Sequence, residues 1–158
     1  MLCGKSSLLE AFAEQARVRK AVVVRLDCRT IEPTERGFLH ELGAAIGGEA
    51  DTPEATAERL ERLGNRVVLA MDSCEVFRLM DTWLRQVFVP ALSDKVRVFL
   101  FGREPPVAAW TISPGWQGLF QSIRLEPLSM EEAITLLSQA GVNPEEAQRL
   151  NRFTHGHP

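Results

Sequence analysis

Apolar residues along the first part of the chain recur with helical and strand-like spacings in turn. Helical spacing predicts a helix from about Ser6 to Arg19, with a basic cluster at its C-terminal end. The β-branched run Ala21–Leu26 follows directly and predicts a buried strand. Residues 35–47 and 54–64 both carry helical periodicity and end at glycines, as helix C-termini often do. The chain therefore begins with a helix, a strand and a helical connection.

The same alternation continues through the middle of the chain. The apolar runs 67–71 and 96–101 predict two more buried strands. Between them, residues 76–89 have an apolar face at helical spacing, and we expect Pro90 to end that amphipathic helix. A short strand is predicted around residues 122–125. This order of elements predicts an α/β domain with a mainly parallel sheet and helices on both faces.

The C-terminal part of the chain is helical in pattern. Ser129–Glu132 is a capping-box start for a helix that reaches about Ala140, and a second helix is predicted over residues 144–153. We interpret residues 1–127 as the core and residues 128–158 as the start of a helical subdomain, both incomplete at the chain ends.

Composition excludes some classes of protein. The 158 residues are 45% hydrophobic and 25% charged, which suits a single globular domain with a sizeable core. A formal net charge of -3 gives no reason to expect nucleic acid or an anionic membrane as a direct partner. The longest apolar runs fall far short of the roughly 20 residues that a transmembrane helix needs. With no secretory signal pattern, a cytoplasmic location is expected.

The cysteines do not suggest a disulfide framework or a zinc site. Cys3, Cys28 and Cys74 are odd in number and lack CxxC spacing. We expect them to be reduced.

The first candidate site is Gly4-Lys5-Ser6-Ser7, the second half of a Gly-x-x-x-x-Gly-Lys-Ser/Thr loop. Such a loop opens a helix, its backbone N–H groups surround phosphates, its lysine neutralises them and its serine binds Mg²⁺. The first glycine of the motif and the strand before it would lie upstream of Met1. Taken alone, the tetrapeptide is better explained as a chance match, and the later residues of the chain reverse that preference.

Two later residues extend this interpretation. Asp72 follows the apolar run 67–71, as a Walker B carboxylate would, and would hold Mg²⁺ or its water shell. Arg103 follows the run 96–101 and is suited to sensing a terminal phosphate. A loop-capping aspartate and a surface or salt-bridging arginine are the alternatives. The order of these residues along the chain is the order that a P-loop ATPase requires.

The sequence resembles the ATPase module of STAND-type signal-transduction ATPases, which are AAA+-like. The resemblance covers nearly the whole chain and is carried by four segments: VVLAMDSCEVFRLMDTWLRQVFVPALSDKVRVFLFGREPP, WxxLF, IRLEPLSMEEAITLL and FTHGHP. The family includes large bacterial regulators that often carry a helix-turn-helix, LuxR-type or winged-helix domain. The resemblance implies a P-loop NTPase three-layer sandwich with its first strand missing, followed by the start of a helical lid.

The resemblance also implies roles for individual residues. Lys5 and Ser6 match the Walker A lysine and serine, Asp72 the Walker B aspartate and Arg103 the sensor arginine. Pro158, in a Gly-x-Pro motif, would contact the adenine.

The catalytic base is less clearly indicated. Many AAA+ relatives place a glutamate directly after the Walker B aspartate, but Ser73 stands there and the next acid is Glu75. Glu75 is therefore a candidate base, with an exposed first-turn helix acid as the alternative.

The sequence thus predicts an ATP-binding regulatory switch for signal transduction or transcription regulation, with ATP and Mg²⁺ as cofactors. Its expected partners are ATP or ADP, other domains of a longer parent protein and, as an open alternative, a second copy of the chain. Whether the parent hydrolyses ATP stays open. The competing hypothesis is a degenerate interaction module that keeps the P-loop fold without binding nucleotide, and a kinase or other phosphotransferase is a weaker third.

Overall fold

The computed structural model describes residues 4–49, 51–126, 129–139, 141–143, 145–146 and 148–149, and for Gly4, Lys5 and Ser6 it describes the backbone. Its regular elements are helices α1 (Gly4–Val18), α2 (Glu35–Ala45), α3 (Pro53–Arg62) and α4 (Met130–Gln139), and strands β1 (Val22–Asp27), β2 (Val67–Asp72) and β3 (Val96–Leu100). Shorter helical turns occupy Cys28–Thr30, Ala109–Ile112 and Pro114–Trp116.

The three strands form one parallel sheet in the order β1-β2-β3. Asp27 is level with Asp72, and Met71 is level with Leu100. Residues 67–71 of the central strand are all buried, as in strands that are covered on both faces. The predicted α/β fold with a mainly parallel sheet is confirmed at this level.

Helices cover both faces of the sheet. Alternate residues of β2 point to opposite sides, so Val67, Leu69 and Met71 join one apolar cluster while Val68 and Ala70 join another. The first cluster is completed by residues from α2, α3 and the helical segment after β2, and the second by residues from α1. The predicted coverage of both faces is confirmed.

The two connecting helices begin at threonine caps. Thr34 Oγ1 accepts the Gly37 N–H at 3.0 Å, and Thr52 Oγ1 accepts the Ala55 N–H at 3.2 Å. Pro53 follows its cap at the first helical position, where a missing N–H has no cost. The predicted helices over residues 35–47 and 54–64 are confirmed, although both end two residues earlier than the glycines suggested.

The amphipathic helix after β2 is more complex than predicted. It consists of four consecutive pieces, which together we call the mixed helix: 3-10 turns at Cys74–Met80, α at Asp81–Trp83, π at Leu84–Phe88 and α at Val89–Ala91. The prediction that Pro90 ends the helix is wrong, because the helix continues to Ala91. Pro90 lies in the first turn of the short α piece that follows the π turn, and proline is tolerated in the first turn of a helix.

The predicted strand at residues 122–125 is wrong. These residues form no strand, and the side chains of Ile123 and Leu125 are 75% and 49% exposed. Their alternating pattern suits a strand, but a strand also needs a neighbour to pair with, and the described sheet supplies none here.

The chain divides into two compact units: the described residues of Met1–Leu8 and Ile123–Pro158, and Leu9–Ser122. In the first unit, the Ser129 N–H donates to Glu132 Oε2 at 2.8 Å and the Glu132 N–H donates to Ser129 Oγ at 3.3 Å. The predicted capping box at the start of α4 is therefore confirmed. The helix predicted over 144–153 lies largely outside the described residues. Within the described part of the chain, no helix has both the length and the hydrophobicity needed to cross a bilayer.

Candidate functional site

The candidate site lies at the carboxyl edge of the sheet, where all three parallel strands end. Asp27 and Asp72 lie side by side as the last residues of β1 and β2. Loops that leave this edge of an open parallel sheet commonly bind ligands. Both aspartates are therefore placed where ligand chemistry is expected.

Asp27 forms a bidentate ion pair with Arg29. The Arg29 Nε and Nη2 atoms lie 2.9 and 2.6 Å from the two carboxylate oxygens, and the Arg29 backbone N–H also donates to Oδ1 at 3.1 Å. Hydrogen bonding from the Arg29 side chain lowers the pKa of Asp27. The pKa of Arg29 is raised by Asp27 above all, with smaller contributions from Asp72 and Glu75. This pair was not predicted from the sequence, although Asp27 ends its strand just as Asp72 ends β2.

Asp72 is followed by a left-handed turn. Ser73 has φ 59° and ψ 42°, and its N–H donates to Asp72 Oδ1 at 2.8 Å. Residues other than glycine seldom adopt this conformation, which carries strain and is common beside functional sites. The turn directs the chain out of β2 and into the mixed helix while it fixes one carboxylate oxygen of Asp72.

Hydrogen bonds between β2 and β3 continue beyond the strand ends. The Phe101 N–H donates to the Met71 carbonyl at 2.8 Å, and the Cys74 N–H donates to the Phe101 carbonyl at 2.9 Å. The first residues of the mixed helix are therefore held against the loop that follows β3.

This arrangement brings Glu75 against Arg103. The Arg103 backbone N–H donates to Glu75 Oε2 at 3.2 Å, and Arg103 Nε lies 4.0 Å from Glu75 Oε1. The Glu75 side chain is 22% exposed, whereas that of Arg103 is 76% exposed. A Cβ atom on Gly102 would lie 3.2 Å from Glu75 Oε2, so the carboxylate packs closely on a backbone without a side chain. Glu75 is thus both an acid in the first turn of the mixed helix and the ion-pair partner of Arg103.

Two cysteines are sequence neighbours of these carboxylates: Cys28 follows Asp27, and Cys74 precedes Glu75. Cys28 is fully buried, and the Cys74 thiol donates to the Met71 carbonyl at 3.1 Å. The neighbouring Cys28 thiol, followed by burial, raises the pKa of Cys74. Cys28 and Cys74 form no disulfide in the described residues, whereas Cys3 lies outside them.

The glycine–lysine motif opens α1. Gly4, Lys5, Ser6 and Ser7 form the first turn of this helix, which starts two residues earlier than predicted. They belong to the smaller compact unit, whereas the carboxyl-edge residues belong to Leu9–Ser122. Pro158, the predicted adenine contact, lies outside the described residues.

The structure therefore brings together Asp72, Glu75 and Arg103 from the sequence-based prediction, and adds Asp27 and Arg29. In the described part of the chain, no group of three or more His, Cys, Asp or Glu side chains is arranged to hold a metal ion. Mg²⁺ in nucleotide sites takes one or two protein ligands and completes its shell with phosphates and water. A single carboxylate at the end of β2 fits that donor chemistry.

Comparison with protein families, with curated proteins and with solved structures finds no match to this chain.

Proposed function

We propose that this chain is the nucleotide-binding module of a STAND-type regulatory ATPase, in which ATP with Mg²⁺ sets the signalling state of a longer protein. The observation that carries the proposal is the carboxyl edge of the parallel sheet. There, Asp72 ends the central strand, whose residues 67–71 are buried, and Arg103 follows the neighbouring strand at the same edge. A carboxylate for Mg²⁺ and a cation for phosphate are the groups that such a site needs.

Each residue of the site has a distinct role in this proposal. Lys5 neutralises the terminal phosphates, Ser6 and Asp72 are ligands of Mg²⁺, and Arg103 contacts the γ-phosphate. When bound, Mg²⁺ would neutralise phosphate charge. The Gly4 and Ser7 backbone groups at the N-terminus of α1 favour an anion, because the first N–H groups of a helix lack intrahelical acceptors. Pro158 packs against the adenine.

The output of such a module is a change of state. Nucleotide that binds one arrangement of the core and the helical subdomain better than another shifts the population toward it. Attached domains of the parent protein then respond to that shift.

Calorimetric titration of Mg-ATP tests the proposal directly. We expect Lys5→Ala and Asp72→Asn each to weaken binding at least about tenfold, because each removes a charge-assisted contact. Lys20→Ala is the matched control, since it also removes one lysine from the α1 region, at an exposed position beyond the end of the helix. Binding that is equally strong in all three variants contradicts the assigned site, and no binding by the chain itself contradicts the proposal.

One observation favours a second candidate function, a module that binds nucleotide and does not hydrolyse it, which differs from the degenerate module that binds no nucleotide. Ser73 stands directly after Asp72, and the next acid along the chain, Glu75, is engaged with Arg103. A module that binds Mg-ATP without releasing phosphate would agree with this geometry. A phosphate-release assay on the binding-competent chain separates a slow switch from a site without turnover.

A further inference from the structure

Glu75 and Arg103 form a defined contact at the carboxyl edge. Oε2 of Glu75 accepts the main-chain N–H of Arg103, and Oε1 faces Nε of the guanidinium group. The contact is made on one side of Arg103, and 76% of its side chain is exposed to solvent. A guanidinium group has further N–H donors in a planar fork, so an anion from solvent can reach Arg103 while Glu75 stays in place.

Glu75 is fixed in its position by the backbone around it. The Cys74 N–H is bonded to the Phe101 carbonyl, and the close approach of Gly102 leaves little space behind the carboxylate. Its low exposure of 22% means that water screens its charge poorly. The negative charge of Glu75 therefore acts on Arg103 at short range.

The other carboxylates of this edge have different contacts. Asp27 is paired with Arg29 by two side-chain hydrogen bonds, and Asp72 Oδ1 accepts the Ser73 N–H. Among the ion pairs of the described residues, Glu75 is the carboxylate that contacts Arg103. The adjacent acid, Glu104, is paired with Arg78 instead.

We infer that Glu75 is an internal counter-anion for Arg103, which a phosphate group must compete with or displace in order to bind that arginine. The inference rests on the proposed function, because it takes the phosphate chain of a nucleotide as the ligand of Arg103. Glu75 is then a positioning residue that sets the phosphate affinity of Arg103. Its carboxylate oxygens contact Arg103 and do not act as a general base. The pair keeps Arg103 oriented and neutralised until a ligand with more charge than one carboxylate arrives.

The test uses inorganic tripolyphosphate without Mg²⁺ as the probe, followed by NMR at the Nε–H and main-chain N–H signals of Arg103. We expect Glu75→Gln to bind the probe about tenfold more tightly than the unmodified chain, because it removes the competing charge and keeps the shape and one acceptor oxygen. Glu104→Gln removes the same charge one residue from Arg103, without touching its contact. It should change the affinity by less than about threefold, as expected for an exposed charge screened by solvent.

Two further variants separate electrostatic competition from a structural effect. In an Arg103→Ala background, followed at the main-chain N–H of position 103, Glu75→Gln should no longer alter the affinity, because the charge on which it acts has been removed. Glu75→Asp keeps the charge and withdraws it by one methylene, so it should give a smaller increase than Glu75→Gln. Glu75→Asp also tests the inference if the Glu75→Gln variant does not fold.

Equal affinity increases in Glu75→Gln and Glu104→Gln, a decrease in Glu75→Gln, or no probe binding at Arg103 in any variant would overturn the inference. Failure of the proposed function has a different signature, which is the absence of Lys5-dependent Mg-ATP binding in calorimetry. The two readouts are independent, because tripolyphosphate is followed at the signals of Arg103 itself.

Discussion

Ser73 shows how a single residue carries strain at the candidate site. Its φ of 59° lies in the left-handed region, which costs a residue with a Cβ atom about 1–2 kcal/mol. We expect Ser73→Gly to raise the free energy of unfolding by about 0.5–1 kcal/mol, since glycine relieves the strain but gives the unfolded chain more freedom. Urea unfolding measures the change.

Two controls test that explanation. Ser73→Ala keeps the strain and should leave the free energy of unfolding within about 0.5 kcal/mol of the original value. Lys20→Gly relieves the same strain at the other non-glycine residue of the described chain with a positive φ, 61° just after α1, and should raise the free energy of unfolding by a similar amount. Loss of stability in Ser73→Gly would mean that the serine side chain contributes more than its backbone costs.

At the scale of an element, the mixed helix is tied to the segment after β3 by a buried polar network. The Trp110 indole N–H donates to Asp81 Oδ1 at 2.6 Å, and Asp81 Oδ2 lies 3.6 Å from Arg85 Nε. The Asp81 and Arg85 side chains are only 16% and 10% exposed. Because a buried carboxylate that loses a donor is costly, we expect Trp110→Phe to lower the free energy of unfolding by about 2–3 kcal/mol.

A matched variant and a second background separate the hydrogen bond from ring size. Trp116 packs against Trp110 with ring centroids 4.6 Å apart and is half-buried. Trp116→Phe should therefore lower the free energy of unfolding by less than about 1 kcal/mol. In an Asp81→Asn background, the cost of Trp110→Phe should fall to about 1 kcal/mol, because the acceptor is then neutral. An unchanged cost in that background would show that packing, and not the hydrogen bond, explains the effect.

The elements of this chain differ in how well sequence predicts them. β2 is an uninterrupted apolar run, and its prediction holds to within one residue because local pattern and burial agree there. The mixed helix was predicted only in outline, since its 3-10 and π turns depend on how Phe77, Leu84 and Phe88 pack in the core. The segment 122–125 has the alternation of a strand, but pairing is a tertiary property that alternation does not supply.

The candidate site, like the secondary structure, could be predicted from the sequence only in part. Asp72 and Arg103 could be assigned to one edge because parallel strands end together, and the sheet places them there. The contact between Glu75 and Arg103 could not be predicted, since it requires the left-handed turn at Ser73 and the bond from Cys74 to Phe101. The roles of Lys5, Ser6 and Pro158 in nucleotide binding stay predictions.

At the scale of the whole molecule, stability is concentrated around the central strand. Residues 67–71 of β2 are all buried between two apolar clusters, whereas α4 buries Ala133 alone among its ten residues, all of which are described. A helix of this length has little stability in water unless an apolar face is packed. We therefore expect the amides of β2 to exchange with solvent only through global unfolding and those of α4 to exchange through local opening, at least about 100-fold faster.

Native-state hydrogen exchange followed by NMR measures this difference, and α2 provides the internal control. It is 11 residues long against 10 for α4, but it buries four residues, including Phe38 and Leu42. If burial sets the exchange rate, α2 should be protected nearly as well as β2, although it is only one residue longer than α4. Equal protection of α2 and α4 would contradict this explanation, because it would mean that the two compact units unfold as one.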